Sequence, residues 1–205
     1  MPEKTVQKEP GKKPAPSKKP KPQQEVVVQI PLSELHPFPD HPFQVREDAS
    51  MQETAESVKE YGVLVPALAR PREDGGYELI AGHRRKHACE LAGLATMPVI
   101  VRDIDRDAAT IIMVDSNLQR ENILPSERAK AYKMKMEAIK RQGARTDLTS
   151  PKISAKFRSD DEVGQDAGVS GDTIRNYIAL TQLVPELQQM VDEKKIALSP
   201  AYQLA

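Results

Sequence analysis

The chain has 205 residues, 39% of them hydrophobic and 29% charged, with 30 basic and 30 acidic side chains and a single cysteine. That length allows one large domain or two small ones with tails, and the sequence offers no run of about 18 apolar residues to span a bilayer. Cys89 alone builds no disulfide framework and the N-terminus lacks the apolar stretch of a secretory signal, so a reducing, cytoplasmic compartment and no membrane partner are expected.

Residues 1–25 hold seven Lys, three Glu and six Pro. At +4, with almost no large apolar side chains, this stretch cannot offset its ordering entropy and reads as a disordered basic tail. Residues 26–150 carry 17 basic and 19 acidic groups and residues 151–205 carry 6 and 8, so each of these parts is at −2. The β-branched run at 26–30, stopped by Pro31, predicts a strand, followed by a loop through His36, Pro37, Pro39, His41 and Pro42. Met51, Ala55, Val58 and Tyr61 recur at helical spacing, with Gly62 as the stop. Residues 63–70 and 77–81 read as strands around the turn Arg72-Glu73-Asp74-Gly75-Gly76, which predicts a hairpin. Gly82 then opens a helix over 83–92 ended by Gly93, a strand follows over 97–102, and a helix over about 106–117. This predicts a small mixed-sheet unit over residues 26–124.

From Ser126 the pattern is wholly helical. Pro125-Ser126-Glu127 reads as a helix start with Ser126 as N-cap, and Ala131, Met134 and Ile139 carry the apolar face toward Gly143. After a polar loop over about 144–159, residues 160–181 have the spacing of a helix-turn-helix. Val163 and Ala167 lie on the first helix, Gly168-Val169-Ser170 form the turn, and Ile174, Ile178 and Leu180 bury the second. The fold class expected is therefore α+β over 26–124, followed by an all-helical domain over 125–205.

Two segments can carry chemistry. In Gly82-His83-Arg84-Arg85, a glycine between strand and helix lets backbone approach a ligand, the helix start offers free amides, and two arginines add bidentate donors. That is either a phosphate site or a solvated basic helix start. The segment Asp115-Ser116-Asn117-Leu118-Gln119-Arg120-Glu121 is dense in amides and charge, suited to phosphate or metal, or else to a capped loop. Neither GxxxxGK[ST] nor GxGxxG occurs. Cys89, beside Ala88 and Leu91, reads as a core residue, and His83 with His87 at i, i+4 lacks an evident third zinc ligand.

Phe43-Gln44-Val45-Arg46, Gly62-Val63-Leu64-Val65-Pro66, Gly82-His83-Arg84-Arg85, Asn117-Leu118-Gln119-Arg120-Glu121 and the helix-turn-helix follow one another in an order that resembles the ParB/RepB family of DNA-partition proteins. The resemblance covers about residues 26–205. It implies a ParB/sulfiredoxin-like N-terminal domain that binds CTP with Mg²⁺, and a helix-turn-helix that reads a centromere-like palindrome in double-stranded DNA. It also implies dimeric protomers that close as a sliding clamp, a ParA-type ATPase engaged by the basic tail through Lys12-Lys13 and Lys18-Lys19, nucleoid association in bacteria, and a separate C-terminal dimerisation domain.

By that resemblance Gly82, His83, Arg84 and Arg85 fall on the family's Gly-Glu-Arg-Arg motif, and Asn117, Gln119 and Arg120 on its Glu-Asn-x-Gln-Arg motif, with Glu121 beside them. Asn117 would meet Mg²⁺ through the nucleotide, and Gly62, Val65 and Pro66 would shape the cytosine pocket. His83 and Ser116 stand where the family has Glu. Neither supplies an anionic oxygen, so CTP hydrolysis is expected to be weak or absent. Asp115 or Glu121 are the candidates to substitute. Sulfiredoxin's Gly-Cys-His-Arg motif has no counterpart, since Gly82 precedes His83.

At the start of the second helix of the helix-turn-helix, Ser170, Thr173, Arg175, Asn176 and Tyr177 are the candidates to touch bases or phosphates, Arg175 toward guanine and Asn176 toward adenine. The −2 charge of 151–205 argues that DNA affinity needs help from the tail or from Lys133, Lys140, Arg141 and Arg145. Two other functions stay open: a sequence-specific transcriptional regulator switched by nucleotide, and a small-molecule enzyme on the same fold.

Overall fold

The structure, a computed structural model, describes residues 25–120, 122–146 and 159–205. The expected tail, Glu121 and most of the expected 144–159 loop lie outside the described residues.

Five strands form one mixed sheet: β1 (Val27–Pro31), β2 (Leu35–Pro37), β3 (Ala67–Pro71), β4 (Tyr77–Ala81) and β5 (Thr96–Val101), in the order β1-β5-β3-β4-β2. β3 and β4 make the expected hairpin, with Arg70 opposite Glu78 and Pro71 opposite Tyr77. β5 lies parallel to β3 and antiparallel to β1.

Two strand expectations are corrected. The His/Pro loop contains β2, which pairs parallel with residues 77–79 of β4 and buries Leu35. Pairing across the chain supplies an order that the local composition does not. In the other direction, the strand expected from residue 63 starts at Ala67, because residues 63–66 are held outside the sheet by a side chain described below.

Helices cover both faces. On one, α1 (Ala49–Tyr61) and α2 (His83–Leu91) pack Met51, Val58, Ala88 and Cys89 against Ile30, Leu79 and Val99. Asp48 starts α1 by accepting the Met51 amide at 2.9 Å. Tyr61, expected on the apolar face, is 63% exposed, since the last packed turn of the helix ends at Val58. On the other face, α3 (Arg106–Leu118) and α4 (Pro125–Thr146) close over Ile80, Phe38 and Phe43 with Met113, Val114 and Ala131.

The same α4 forms the wall of the helical part, α5 (Ser159–Ala167), α6 (Gly171–Ala179), α7 (Pro185–Asp192) and α8 (Leu198–Leu204). Ser126 is not the cap of α4. Pro125 opens the helix, where its missing N–H costs nothing, and Glu127 Oε2 accepts the Leu124 amide at 3.2 Å. Ser126 instead donates from N and Oγ to Asp192 on α7, at 2.9 and 2.5 Å. The helix-turn-helix has the expected form. Val163 and Ile174 are fully buried against Tyr132 of α4, and the Val169 amide returns to the Gly164 carbonyl at 2.9 Å.

Candidate functional site

The site forms where β4 hands over to α2. Gly82 has φ +112°, and a Cβ there would stand 2.8 Å from the Ala67 Cβ, so glycine both makes the turn and lets β3 approach. No side chain caps α2, so the amides of its first turn and the positive end of its dipole face an incoming anion.

The two arginines after His83 do different work. Arg85 Nη1 donates to the carbonyls of Val65 and Pro66, 2.6 Å each, and so pins the 62–66 loop against the helix. Burial holds its pKa below the usual guanidinium value. Arg84 Nη2 reaches Ser50 Oγ at 3.2 Å and Asp48 Oδ1 at 3.6 Å, across to the start of α1. Just beyond α3 comes Arg120, its pKa lowered first by burial and then by Arg84, with Arg85 adding to the effect and Glu127 opposing it. Arg84 and Arg120 thus line one cleft of about 580 Å³ together with Phe43, Arg46, Gln119 and Glu127, while Arg85 lines the neighbouring hollow under the 62–66 loop. Glu127 is committed: it accepts the Gln44 amide at 3.1 Å and the Leu124 amide at 3.2 Å.

His83 lies on His41 with ring centroids 4.0 Å apart. Burial, then the neighbouring His41, Arg120 and Lys86, push its pKa down to about 3, so the imidazole is neutral. His41 is shifted the same way, chiefly by burial, and its Nδ1 donates to the Phe43 carbonyl at 2.7 Å. Nε2 of both rings is buried without a partner. His87 turns elsewhere, toward Glu47 and Glu90 at 3.3 Å each, so the i, i+4 histidines do not converge. Among the described residues no group of three or more His, Cys, Asp or Glu can hold a metal ion.

Asn117 is 2% exposed; its Nδ2 donates to the Met113 carbonyl at 2.8 Å and its Oδ1 is buried without a partner. Ser116 Oγ spends its proton on the same carbonyl, at 2.9 Å. Asp115, one candidate to replace the absent carboxylate, is turned away and bonded to Lys135 at 2.7 Å. Gly62, Val65 and Pro66 form the outer loop beside Arg85, with Val65 exposed. His41, Arg46 and Glu127 join the site without being among the residues the sequence singles out. The signal for the first two is the His/Pro loop ending in Phe43-Gln44-Val45-Arg46; Glu127 carries none beyond a helix start.

At the helix-turn-helix, Ser170 caps α6 by accepting the Thr173 amide at 3.2 Å, and the two hydroxyls lie 2.9 Å apart. Asn176 is exposed. Arg175 is exposed too, but its guanidinium bridges Asp160 and Asp172, so any base or phosphate it meets must displace a carboxylate. Tyr177 is half-buried. It faces inward, its ring edge-on to Tyr132 and Tyr202 and under Arg128, because its place on the helix is that of the buried stripe.

Comparison with known proteins agrees with this architecture. The ParB N-terminal domain matches over residues 16–118. The chromosome-partitioning protein Spo0J of Thermus thermophilus is 36% identical over 171 residues, 83% of this chain and 56% of that protein. The probable chromosome-partitioning protein ParB of Treponema pallidum is 37% identical over 148 residues, 72% of this chain and 40% of that one. The chain spans about half the length of these curated relatives. Among solved structures, the C-terminally truncated ParB of Caulobacter crescentus, complexed to the centromeric parS site, superposes with a TM-score of 0.56. It is 27% identical, with 86% of this chain and 83% of that one covered. With half of its length matched by the family and the fold shared with a solved relative, the chain belongs to the ParB N-terminal domain family.

Proposed function

We propose that this chain acts in DNA partition as a nucleotide-dependent clamp: it binds CTP in the arginine cleft, engages a centromere-like DNA site through α6, and closes with a second copy around the duplex. The observation that carries this reading is the convergence of Arg84 and Arg120, with Arg46, on one cleft beside the open N-terminus of α2, where Arg85 adds positive charge. A triphosphate supplies the charge and the multiple acceptor oxygens that such a cluster lacks. The 62–66 loop, pinned by Arg85, stands beside that cluster where a base would rest. Support for DNA comes from the Caulobacter relative, whose structure is a complex with parS.

Residues 26–124 would form the nucleotide domain and 125–205 the DNA domain, with the Lys-rich residues 1–25 engaging a ParA-type ATPase on the nucleoid. Of the site's residues, Asn117 Oδ1 is an unpartnered oxygen suited to Mg²⁺. With no carboxylate cluster beside it among the described residues, it fits an ion that arrives on the nucleotide and keeps most of its waters. There Mg²⁺ would neutralise phosphate charge. With its pKa near 3, His83 is a weak base, and Ser116, back-bonded to the Met113 carbonyl, supplies no carboxylate, so hydrolysis in this cleft would be weak.

The test is calorimetric titration of CTP, ATP, GTP and UTP with Mg²⁺ into the wild type and into Arg84→Ala, whose side chain bonds to the exposed start of α1 and lines the cleft. The expected result is CTP-selective binding, weakened about 10- to 100-fold by loss of one charged hydrogen-bond donor. If no nucleotide binds, even with a parS duplex present, the clamp reading fails.

A further inference from the structure

Lys135 lies in the middle of α4 with a side chain only 1% exposed. Its Nζ donates to Asp115 Oδ1 on α3 at 2.7 Å and to Asp166 Oδ2 on α5 at 2.9 Å. An ammonium this deeply placed is held by its partners. Both partners are placed where movement matters. Asp115 sits two residues before Asn117 on the helix that ends at the arginine cleft, and Asp166 sits at the last turn of α5, where the helix-turn-helix begins to bend.

A second cleft, of about 630 Å³, opens beside this pair of bonds between α3, α4 and α5; its walls include Asp115, Tyr132, Asp166 and Val169. Gln119 lines both this cleft and the arginine cleft. The last turn of α3 therefore touches the nucleotide cleft on one side and the helix-turn-helix on the other. Lys135 is buried while the two carboxylates it holds are about half exposed; parting from either leaves a buried ammonium with one partner fewer, so the two bonds together resist a shift of α3 against α5.

We propose that Lys135, with Asp115 and Asp166, is the latch that couples occupancy of the arginine cleft to the position of the helix-turn-helix. The proposal rests on the nucleotide-binding reading above. A ligand that draws Asn117 to Arg120 toward the cleft moves Asp115 with them; α5 then follows through Lys135 or parts from it. In this role Lys135 is a positioning residue that touches neither nucleotide nor DNA.

Hydrogen exchange of residues 159–179, with and without saturating CTP, tests the latch in the wild type, in Asp166→Asn and in Lys135→Met. In the wild type CTP changes exchange across α5 by about fivefold or more, the scale of an ordinary coupling between sites. Asp166→Asn removes the ionic part of the α5 arm and keeps the Asp115 arm; it is expected to bind CTP within about threefold of the wild type while its α5 response to CTP is much reduced. Lys135→Met, an apolar side chain of similar length, is expected to show the same loss, and it decides the matter should the asparagine variant fail to fold by circular dichroism. A full CTP response in a folded variant, or CTP binding without any α5 response in the wild type, overturns the latch. A wild type that binds no CTP overturns the functional reading instead.

Discussion

His83 places at the start of α2 a ring that the fold keeps neutral, and this has a pH signature. Its pKa falls from the ordinary 6.5 to about 3, mainly through burial, so between those values the unfolded chain binds a proton that the folded chain refuses. Stability is then fully present above the ordinary value and declines as pH falls through that window; His41, shifted in the same direction, adds to the slope. The thermal midpoint should drop between pH 7 and pH 5, and His83→Gln should flatten the drop; parallel curves for the two proteins would refute the assignment. Glu127 makes a second prediction at this scale. Each of its oxygens accepts one backbone amide, from Gln44 and from Leu124. Glu127→Gln turns one acceptor into a donor facing a donor, which should cost about 1–3 kcal/mol in urea unfolding. The two residues differ in how far the sequence announces them. His83 is visible because glycine, strand end and arginines are adjacent in the chain. Glu127 is not, because the amide it serves is 83 residues away, a pairing that no local pattern encodes.

Among the elements, those set by local spacing are legible and those set by long-range pairing are not. The helix-turn-helix follows from Val163, Ala167, Ile174 and Ile178, since apolar residues one helical turn apart fix which face is buried. β2 escapes a local reading because its order comes from β4, some forty residues on, and the segment 63–66 has the composition of a strand while Arg85 holds it out of the sheet. Gly164 is the test of how closely the helix-turn-helix is packed. A Cβ there would stand 2.6 Å from the Val169 carbonyl and 3.1 Å from the Gly171 amide, both backbone atoms that cannot yield without opening the turn. Gly164→Ala should therefore destabilise the helical part by about 1–3 kcal/mol despite its better helix propensity. Its expected mark is loss of exchange protection in α5 and α6, with β3 and β4 unaffected; uniform loss across the chain would show that the two parts unfold as one.

Charge at the scale of the molecule is divided in a way that separates affinity from specificity. The 30 basic and 30 acidic groups cancel, residues 151–205 are at −2, and residues 1–24 hold seven Lys against two Glu. The reading helix offers little positive charge of its own, because Arg175 is bridged by Asp160 and Asp172. On the proposed reading, phosphate attraction would come from the exposed Lys130, Lys133 and Lys140 of α4 and from the tail, and sequence would be read by Asn176 and its neighbours. Removing residues 1–24 should weaken binding to every duplex alike and lower the slope of log K against log salt by about 0.9 for each phosphate that the tail neutralises. Asn176→Ala should leave the slope unchanged and cost about 1–3 kcal/mol on the preferred duplex alone. Fluorescence anisotropy over a salt series, on preferred and scrambled duplexes, reads both. An unchanged slope in the truncated chain would place the phosphate-binding lysines on α4, and a uniform loss in Asn176→Ala would make that residue a backbone contact.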